Sequence, residues 1–271
     1  MSAMLELKNV QKTFNPGTIN EKHALNGVDL IMEDGDFVTV IGSNGAGKST
    51  MLNAVAGVWP IDTGSIHIDG TDVTGLPDFK RAEYIGRVFQ DPMIGTAADM
   101  QLDENLALAL RRGRKRTLKW GVTAKEREMF KDRLSQLNLG LEDRLTTKVG
   151  LLSGGQRQAA TLLMAALRKP KLLLLDEHTA ALDPKTAKKV LELTNWTVEH
   201  YNLTALMVTH NMKDAIRTGN RLIMMHEGRI IFDVKGEEKK NLTVSQLLTK
   251  FEEASGEEFA SDEALLTSKE G

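Results

Sequence analysis

Residues 42–50 read GSNGAGKST and directly follow an apolar run at residues 37–41. This order places glycines, a lysine and hydroxyl residues between a predicted strand and a predicted helix. Glycines let backbone N–H groups approach an anion, and the helix start adds the positive end of its dipole. Lys48 would contact phosphate oxygens and Ser49 would ligate Mg²⁺. We predict a nucleotide phosphate site here, in preference to a glycine-rich turn with an exposed lysine.

Two acidic residues, Asp176 and Glu177, close the apolar run KLLLLDE at residues 171–177. A continuous apolar run of this kind is typical of a strand that is buried on both faces of a parallel sheet. Ligands bind beyond the carboxyl ends of such strands. The position favours Asp176 as a holder of Mg²⁺ and Glu177 as the group that orients or deprotonates a water molecule. The alternative is a solvated acidic pair at the end of a strand.

Other polar residues also follow predicted strands. Gln90 comes after YIGRVF and could contact Mg²⁺ or the water, although a single glutamine is more often an ordinary loop residue. His210 comes after ALMVT and could donate a hydrogen bond to a phosphate, although a single histidine is usually a surface or core residue. Asp183 precedes Pro184, and this pair predicts a helix N-cap followed by proline at the first helical position.

The segment LLSGGQRQ at residues 151–158 contains adjacent glycines where a helix is predicted to begin. Ser153 and Gln156 fit a capping box, but that motif does not explain Gly154 and Gly155. Each glycine costs about 1 kcal/mol relative to alanine inside a helix. Because residues without side chains leave N–H groups open to an anion, the segment predicts a second phosphate site.

The order of the predicted elements indicates the fold class. Strands that alternate with helices predict an α/β fold with a mainly parallel sheet. Residues 62–73 are rich in turns and predict part of an antiparallel β layer. Residues 91–152 carry helical periodicity and predict an inserted helical subdomain. We divide the chain into a domain at residues 1–235 and a polar, acidic tail at residues 236–271 that contains helical stretches.

Composition excludes several classes of protein. The 271 residues have a formal net charge of −2 and include no cysteine. Disulfides, thiolate catalysis and cysteine-type metal sites are therefore excluded, and no nucleic-acid partner is expected. The start of the chain lacks the pattern of a signal peptide. No apolar run approaches the roughly 20 residues of a membrane span, so we expect any membrane role to require a partner.

The motifs GSNGAGKST, VFQDP, LLSGGQRQ, KLLLLDE, AALD and MVTHN occur in this order. Together they resemble the ATP-binding subunits of ATP-binding-cassette (ABC) transporters, over about residues 4–235. The ordered set is far more specific than any one motif. The resemblance implies a P-loop NTPase core and a Mg²⁺-dependent ATPase that energises a separate membrane permease.

The resemblance also assigns roles to individual residues. The nucleotide-binding set comprises Phe14, which stacks on adenine, and the phosphate loop Gly42, Ser43, Asn44, Gly45, Ala46, Gly47, Lys48, Ser49 and Thr50. The metal-binding set comprises Ser49, Gln90 and Asp176. The catalytic set comprises Glu177 as the base, His210 as the switch histidine and Gln90 in the Q-loop. The D-loop is Ala181–Asp183. The signature, which in this family closes over nucleotide held by the other subunit, comprises Leu152, Ser153, Gly154, Gly155 and Gln156.

Partners and location follow from the same resemblance. It implies a second ATP-binding subunit in a homodimer, a multi-span permease, an extracytoplasmic substrate-binding protein and a peripheral place on the cytoplasmic face of the membrane. One departure is His178, where many relatives have proline or alanine. The stretch DEHTAALDPKTA and the acidic tail resemble a subgroup of bacterial uptake systems, for which aromatic amino acids are a candidate cargo.

Other ABC proteins offer alternative functions. A soluble ABC ATPase in cofactor assembly also has a single cassette and stays open as an alternative. Translation factors of this superfamily have two cassettes fused in one chain. In DNA-repair ATPases, long coiled coils interrupt the cassette. This chain matches neither pattern, because it has one cassette and its inserted segment is short.

The run RRGRKRTLKW at residues 111–120 carries six cations between Arg111 and Lys119. Such a run is usually a solvated loop. A nucleic-acid patch is disfavoured by the acidic net charge and the few aromatic residues. Proximity to the membrane partner or to lipid headgroups is the third interpretation, since each cation contributes about 1 kcal/mol near an anionic surface.

Overall fold

The structure is a computed structural model that describes residues 3–113 and 121–255. Its strands are β1 (Leu5–Phe14), β2 (Lys22–Met32), β3 (Phe37–Gly42), β4 (Thr63–Ile68), β5 (Thr71–Asp72), β6 (Ile85–Val88), β7 (Leu172–Asp176), β8 (Ala205–Val208), β9 (Arg221–His226) and β10 (Arg229–Lys235). Its α-helices are α1 (Lys48–Ala56), α2 (Asp78–Arg81), α3 (Leu102–Leu110), α4 (Ala124–Ser135), α5 (Gly154–Ala166), α6 (Pro184–Tyr201), α7 (Met212–Arg217), α8 (Gly236–Lys240) and α9 (Val244–Ser255).

A six-stranded sheet in the order β10-β9-β3-β8-β7-β6 forms the centre of the described chain. Its pairs are parallel except for the β9–β10 hairpin. The apolar run in β7 is buried from Leu172 to Leu175, as expected for a strand covered on both faces. The mainly parallel α/β sheet predicted from the sequence is confirmed. Because the strands are parallel, the carboxyl ends of β3, β6, β7 and β8 meet at one edge.

A smaller antiparallel sheet has the strand order β2-β1-β4-β5. Its inward side chains, including Leu7 and Ile66, share a core cluster with Val38 of β3 and with Met51 of α1. This packing attaches the antiparallel layer to the strand and helix that flank the phosphate loop. The predicted antiparallel β layer is confirmed.

Helices α3, α4 and α5 form a helical subdomain with its own apolar cluster, which includes Leu106, Phe130 and Leu163. Capping boxes begin α3 at Gln101 and α4 at Thr123, so local sequence signals fix both starts. The inserted helical subdomain is confirmed as a feature of the fold, whereas its bounds at residues 91–152 stay a prediction.

The segment after residue 235 consists mainly of the two helices α8 and α9 as far as the structure describes it. Leu247 and Phe251 of α9 lie in a buried cluster with Leu222 of β9. Lys239 of α8 is also buried, and its Nζ donates to the backbone carbonyl of Gly219 at 3.0 Å. Burial lowers the pKa of Lys239 to about 8. The division at residue 235 stays a prediction, but this part of the tail packs on the core.

Most of the basic run falls on residues 114–120, outside the described residues. The two cations that are described make internal contacts. Arg111 Nη2 donates to Glu126 Oε1 at 3.0 Å, and Arg112 Nη2 donates to the carbonyl of Ala165 at 3.1 Å. These two arginines therefore support the helical subdomain. Over residues 3–113 and 121–255, none of the helices has the length and apolar character that a membrane crossing requires.

Candidate functional site

The phosphate loop joins β3 to α1 and passes close to neighbouring backbone. Gly42 has a φ of 150°, and a Cβ there would lie 2.2 Å from the carbonyl oxygen of Met225. Gly47 has a φ of 100°, and a Cβ there would lie 2.5 Å from the carbonyl oxygen of Ala24. Only glycine combines these backbone angles with such close contacts. The loop glycines are therefore required by the fold as well as by any approach of a phosphate.

Lys48 is buried at the start of α1, only 6% exposed. Its Nζ donates to the carbonyl oxygens of Gly42 at 2.7 Å and Ser43 at 3.0 Å. Burial lowers the pKa of Lys48, and the charge of Glu177 opposes this effect. A buried ammonium whose hydrogen-bond partners here are neutral carbonyls fits a site that receives an anion. The residues present thus fit a phosphate group.

A cavity of about 270 Å³ lies over the loop. Its lining combines the loop with residues of β1, β2 and the β7 edge: Phe14, Lys22, Ala24, Asn44, Gly45, Ala46, Gly47, Lys48, Ser49, Thr50 and Glu177. Two residues beside Phe14 were not predicted from the sequence. Lys22 pairs with Phe14 across β1 and β2. The ring of Trp59 meets that of Phe14 edge-on, with centroids 5.0 Å apart. Neither residue belongs to a motif, so only the strand register and the end of α1 reveal them.

Glu177 and His210 meet at the carboxyl edge of the parallel sheet. His210 Nδ1 donates to Glu177 Oε2 at 3.3 Å. This contact lowers the pKa of Glu177 and raises the pKa of His210. Glu177 has a φ of 43°, which is uncommon for a residue other than glycine and fits a position under functional constraint. The structure therefore brings together two residues that the sequence placed after different strands.

The candidate metal residues come from three elements at the same edge. Asp176 is half-buried at the end of β7, Ser49 is exposed in the first turn of α1, and Gln90 is exposed just after β6. Burial raises the pKa of Asp176, and the neighbouring Arg87 guanidinium opposes this effect. Oxygen ligands of this kind suit Mg²⁺, which usually completes its shell with water and substrate phosphates. In the described part of the chain, no group of three or more His, Cys, Asp and Glu residues could hold a metal by itself.

The signature segment lies at the start of α5. Gln156 N donates to Ser153 Oγ at 3.3 Å, and Ser153 N donates to Gln156 Oε1 at 3.2 Å, which confirms the capping box. Leu152 is buried in the core of the helical subdomain. The residues that line the 270 Å³ cavity include none from this segment. Instead, Ser153, Gly155 and Gln156 line a separate cavity of about 470 Å³ beside α6.

Gly155 has a packing role that the sequence analysis missed. A Cβ at this position would lie 2.3 Å from Cγ2 of Thr186 on α6. Any larger residue would force the Thr186 side chain to turn or the starts of α5 and α6 to move apart. The glycine therefore keeps these two helices in contact, in addition to any exposure of N–H groups to an anion.

We expect Gly155→Ala to lower the free energy of unfolding by about 1–3 kcal/mol, because the added methyl group overpacks this contact. Thr186→Ser removes the opposing methyl, so the double variant should recover most of the loss. Gly75→Ala is a matched control, since a Cβ there has nothing within 4 Å. Urea unfolding of the four proteins measures the effect. Because alanine also gains about 1 kcal/mol over glycine inside a helix, a Gly155→Ala protein more stable than the wild type by about that amount would contradict the packing role.

Two other residues that the sequence analysis singled out lie at α6. Asp183 caps this helix, and its Oδ1 accepts from Thr186 N at 3.1 Å ahead of Pro184, so the predicted N-cap is confirmed. His178 is buried with its Nε2 2.8 Å from Oγ1 of Thr194. Burial lowers the pKa of His178 to about 4, so the ring is neutral at physiological pH. The D-loop role of Asp183 stays a prediction.

Comparison with known proteins finds relatives that are ATP-binding proteins of one kind. Residues 25–180 match the ABC transporter family. The tyrosine transport ATP-binding protein of Clostridioides difficile (strain R20291) is 48% identical, over 93% of this chain and 100% of that protein. The spermidine/putrescine import ATP-binding protein PotA of Haemophilus influenzae (strain ATCC 51907) is 32% identical, over 99% of this chain and 69% of that protein. A dimeric ATP-binding cassette in a post-hydrolysis state, bound to ADP and Pi, has a TM-score of 0.73 at 31% identity, over 86% of this chain and 98% of that one.

The fold and the phosphate loop define a P-loop NTPase of the ATP-binding-cassette type. The chain belongs to the ABC transporter family. It is accordingly a Mg²⁺-dependent transport ATPase that uses ATP, is associated peripherally with a membrane and works with a membrane permease. The predictions of family, fold, activity and cofactors are confirmed. The roles of individual residues stay predictions.

We expect Phe14→Ala to raise the apparent KM for ATP about tenfold with little change in kcat. The ring lines the cavity, and we expect it to stack on the base of the nucleotide rather than touch the reacting phosphate. A stacked aromatic ring contributes about 1–3 kcal/mol to base binding. Steady-state ATPase assays of this variant measure both constants. Tyr84→Ala, which changes an aromatic residue outside the cavity lining, is the control. A changed kcat with an unchanged KM would show that Phe14 serves packing instead.

Proposed function

We propose that this chain energises the import of an amino acid, with tyrosine as the first candidate, through a separate multi-span permease. The observation that carries the proposal is the 48% identity to a tyrosine transport ATP-binding protein over the whole length of that protein. The import function of the more distant polyamine relative agrees with the direction of transport. An extracytoplasmic substrate-binding protein would deliver the amino acid, and the chain would act at the cytoplasmic face of the membrane.

We propose the following roles for the residues of the site. The N–H groups of the phosphate loop and Lys48 hold the phosphates, and Phe14 holds the adenine. Ser49, Asp176 and Gln90 hold Mg²⁺, which when bound would neutralise charge on the phosphates. Glu177 orients and deprotonates the water, and His210 fixes the direction of that carboxylate. The 3.3 Å contact between His210 and Glu177 supports this pairing.

The active form proposed here is a head-to-tail homodimer with two shared sites. Each site would take its phosphate loop from one chain and Ser153, Gly154 and Gly155 from the other. Support comes from the position of the signature segment, which lines a different cavity from the phosphate loop of its own chain. A related cassette is dimeric in the presence of ADP and Pi.

Uptake into proteoliposomes tests the transport function. The chain is reconstituted with its membrane permease and a candidate binding protein. ATP is enclosed inside the vesicles, and radiolabelled tyrosine is added outside together with the binding protein. We expect ATP-dependent accumulation that excess phenylalanine or tryptophan reduces and spermidine does not. A Glu177→Gln complex is the control for uptake without hydrolysis. Uptake of polyamine but not of any amino acid would contradict the proposed cargo, and ATP-driven efflux would contradict import.

A further inference from the structure

Arg87 lies beside the candidate metal site, and the roles proposed above do not include it. It is on β6, next to β7, and its side chain is only 14% exposed. Arg87 Nη2 donates to Asp176 Oδ2 at 3.2 Å and to Asn53 Oδ1 at 2.8 Å. A single nitrogen thus donates to two acceptors, one of which belongs to the candidate metal ligand Asp176.

The surroundings of Arg87 differ from those of a structural arginine in the same chain. Arg81 is 2% exposed and donates to four backbone carbonyls, those of Ala54, Val55, Thr74 and Leu76. Arg87 Nε, in contrast, is buried without a hydrogen-bond partner among the described residues. An unsatisfied buried donor in a native structure calls for an explanation. The hydrogen bonds that Arg87 does make go to side chains and not to backbone carbonyls, and the carboxylate of Asp176 is its anionic partner.

The contacts of Arg87 also span the elements that carry the proposed metal residues. Asn53, its second acceptor, donates through Nδ2 to the carbonyl oxygen of Ser49 at 2.8 Å. The guanidinium carbon lies 4.5 Å from the ring centre of Phe89, which directly precedes Gln90. Arg87 is therefore connected to Asp176 directly, to the Ser49 turn through Asn53, and to the Gln90 segment through Phe89.

We propose that Arg87 is a positioning residue that holds and neutralises the Asp176 carboxylate until a divalent cation arrives with the nucleotide, and that it competes with that cation. The inference rests on the proposed metal role of Asp176. A guanidinium and a divalent cation that share one half-buried carboxylate repel each other, because both are positively charged. The repulsion is stronger there than in water, because the effective dielectric constant is lower. Arg87 therefore supports the metal-free site and opposes metal binding. As a result, the affinity for the nucleotide depends less on Mg²⁺.

The ratio of two dissociation constants tests this competition. A fluorescent, non-hydrolysable ATP analogue is titrated into the full chain in EDTA and again in saturating Mg²⁺, and the first Kd is divided by the second. We expect Arg87→Met to raise this ratio about tenfold, the scale of one charge interaction of about 1.4 kcal/mol, while Arg87→Lys keeps it within about twofold. An inactive fraction of protein lowers the signal but leaves each Kd unchanged, so a purely structural role does not move the ratio. Arg87→Gln repeats the test if the methionine variant folds poorly.

Asp176→Asn separates failure of this inference from failure of the metal assignment. We expect this variant to have a ratio below that of the wild type, because the carboxylate that favours Mg²⁺ is gone. An unchanged or lower ratio in Arg87→Met, together with a lowered ratio in Asp176→Asn, would overturn the role of Arg87 alone. A wild-type ratio in Asp176→Asn would overturn the metal assignment and the role of Arg87 with it.

Discussion

Replacement of Lys48 by alanine is expected to weaken the binding of Mg-ATP about 100-fold or more. The ammonium would supply charge-assisted hydrogen bonds to phosphate oxygens, each of which contributes about 1.5–3 kcal/mol. Its burial at the loop increases the loss, because a buried charge is screened much less by solvent and salt than an exposed one. The loop N–H groups would still face the phosphates, but they carry only partial charge. Isothermal titration calorimetry with Mg-ATP measures the affinity.

Lys22→Ala is the matched control for Lys48→Ala. Lys22 on β2 also lines the cavity and carries a positive charge, but this residue is exposed to solvent. Since an exposed charge is screened by solvent and salt, its loss should weaken binding much less. Near-normal affinity of Lys48→Ala, or an equal loss in both variants, would contradict the assignment of the phosphate loop.

Glu177→Gln is expected to lower the rate of ATP hydrolysis about 10²–10⁴-fold while ATP binding stays close to normal. The amide retains the shape of the carboxylate and one acceptor oxygen, but it cannot accept a proton from water. The contact with His210 persists in a neutral form, so the local backbone should not change. Release of inorganic phosphate measures the rate, and calorimetry measures the binding.

Glu199→Gln is the matched control for Glu177→Gln, because it makes the same change at an exposed position on α6. It should hydrolyse ATP at the wild-type rate. A Glu177→Gln protein that keeps more than about a tenth of wild-type activity would show that another group acts as the base.

Short-range signals carried most of the fold prediction. The apolar run of β7, the capping box at Ser153 and the glycine-rich loop each indicate a local structure through residues only a few positions apart. Leu247 and Phe251 gave a comparable signal, since residues four apart share one face of a helix. The polar and acidic composition of the tail nevertheless favoured a separate segment, although both residues are buried in the structure.

Most of the missed contacts join residues far apart in the sequence. Gly155 packs on Thr186, and Arg87 contacts Asp176, across elements that meet only in the folded chain. Phe14 meets Lys22 through strand register and Trp59 through the end of α1. None of these pairs has a fixed spacing that a motif could reveal. Sequence therefore predicted local structure better than it predicted which distant residues surround the site.

The mass of Glu177→Gln in solution with Mg-ATP tests the shared-site claim most directly. We predict a dimer by light scattering with Mg-ATP and a monomer without nucleotide, because uncleaved ATP would hold two chains together. Adding Gly154→Asp to Glu177→Gln should leave binding of a fluorescent ATP analogue intact but keep the protein monomeric, since the new carboxylate would face the partner's phosphate. A Glu177→Gln protein that binds ATP and stays monomeric even with the permease present, or a double variant that still dimerises with ATP, would contradict the shared site.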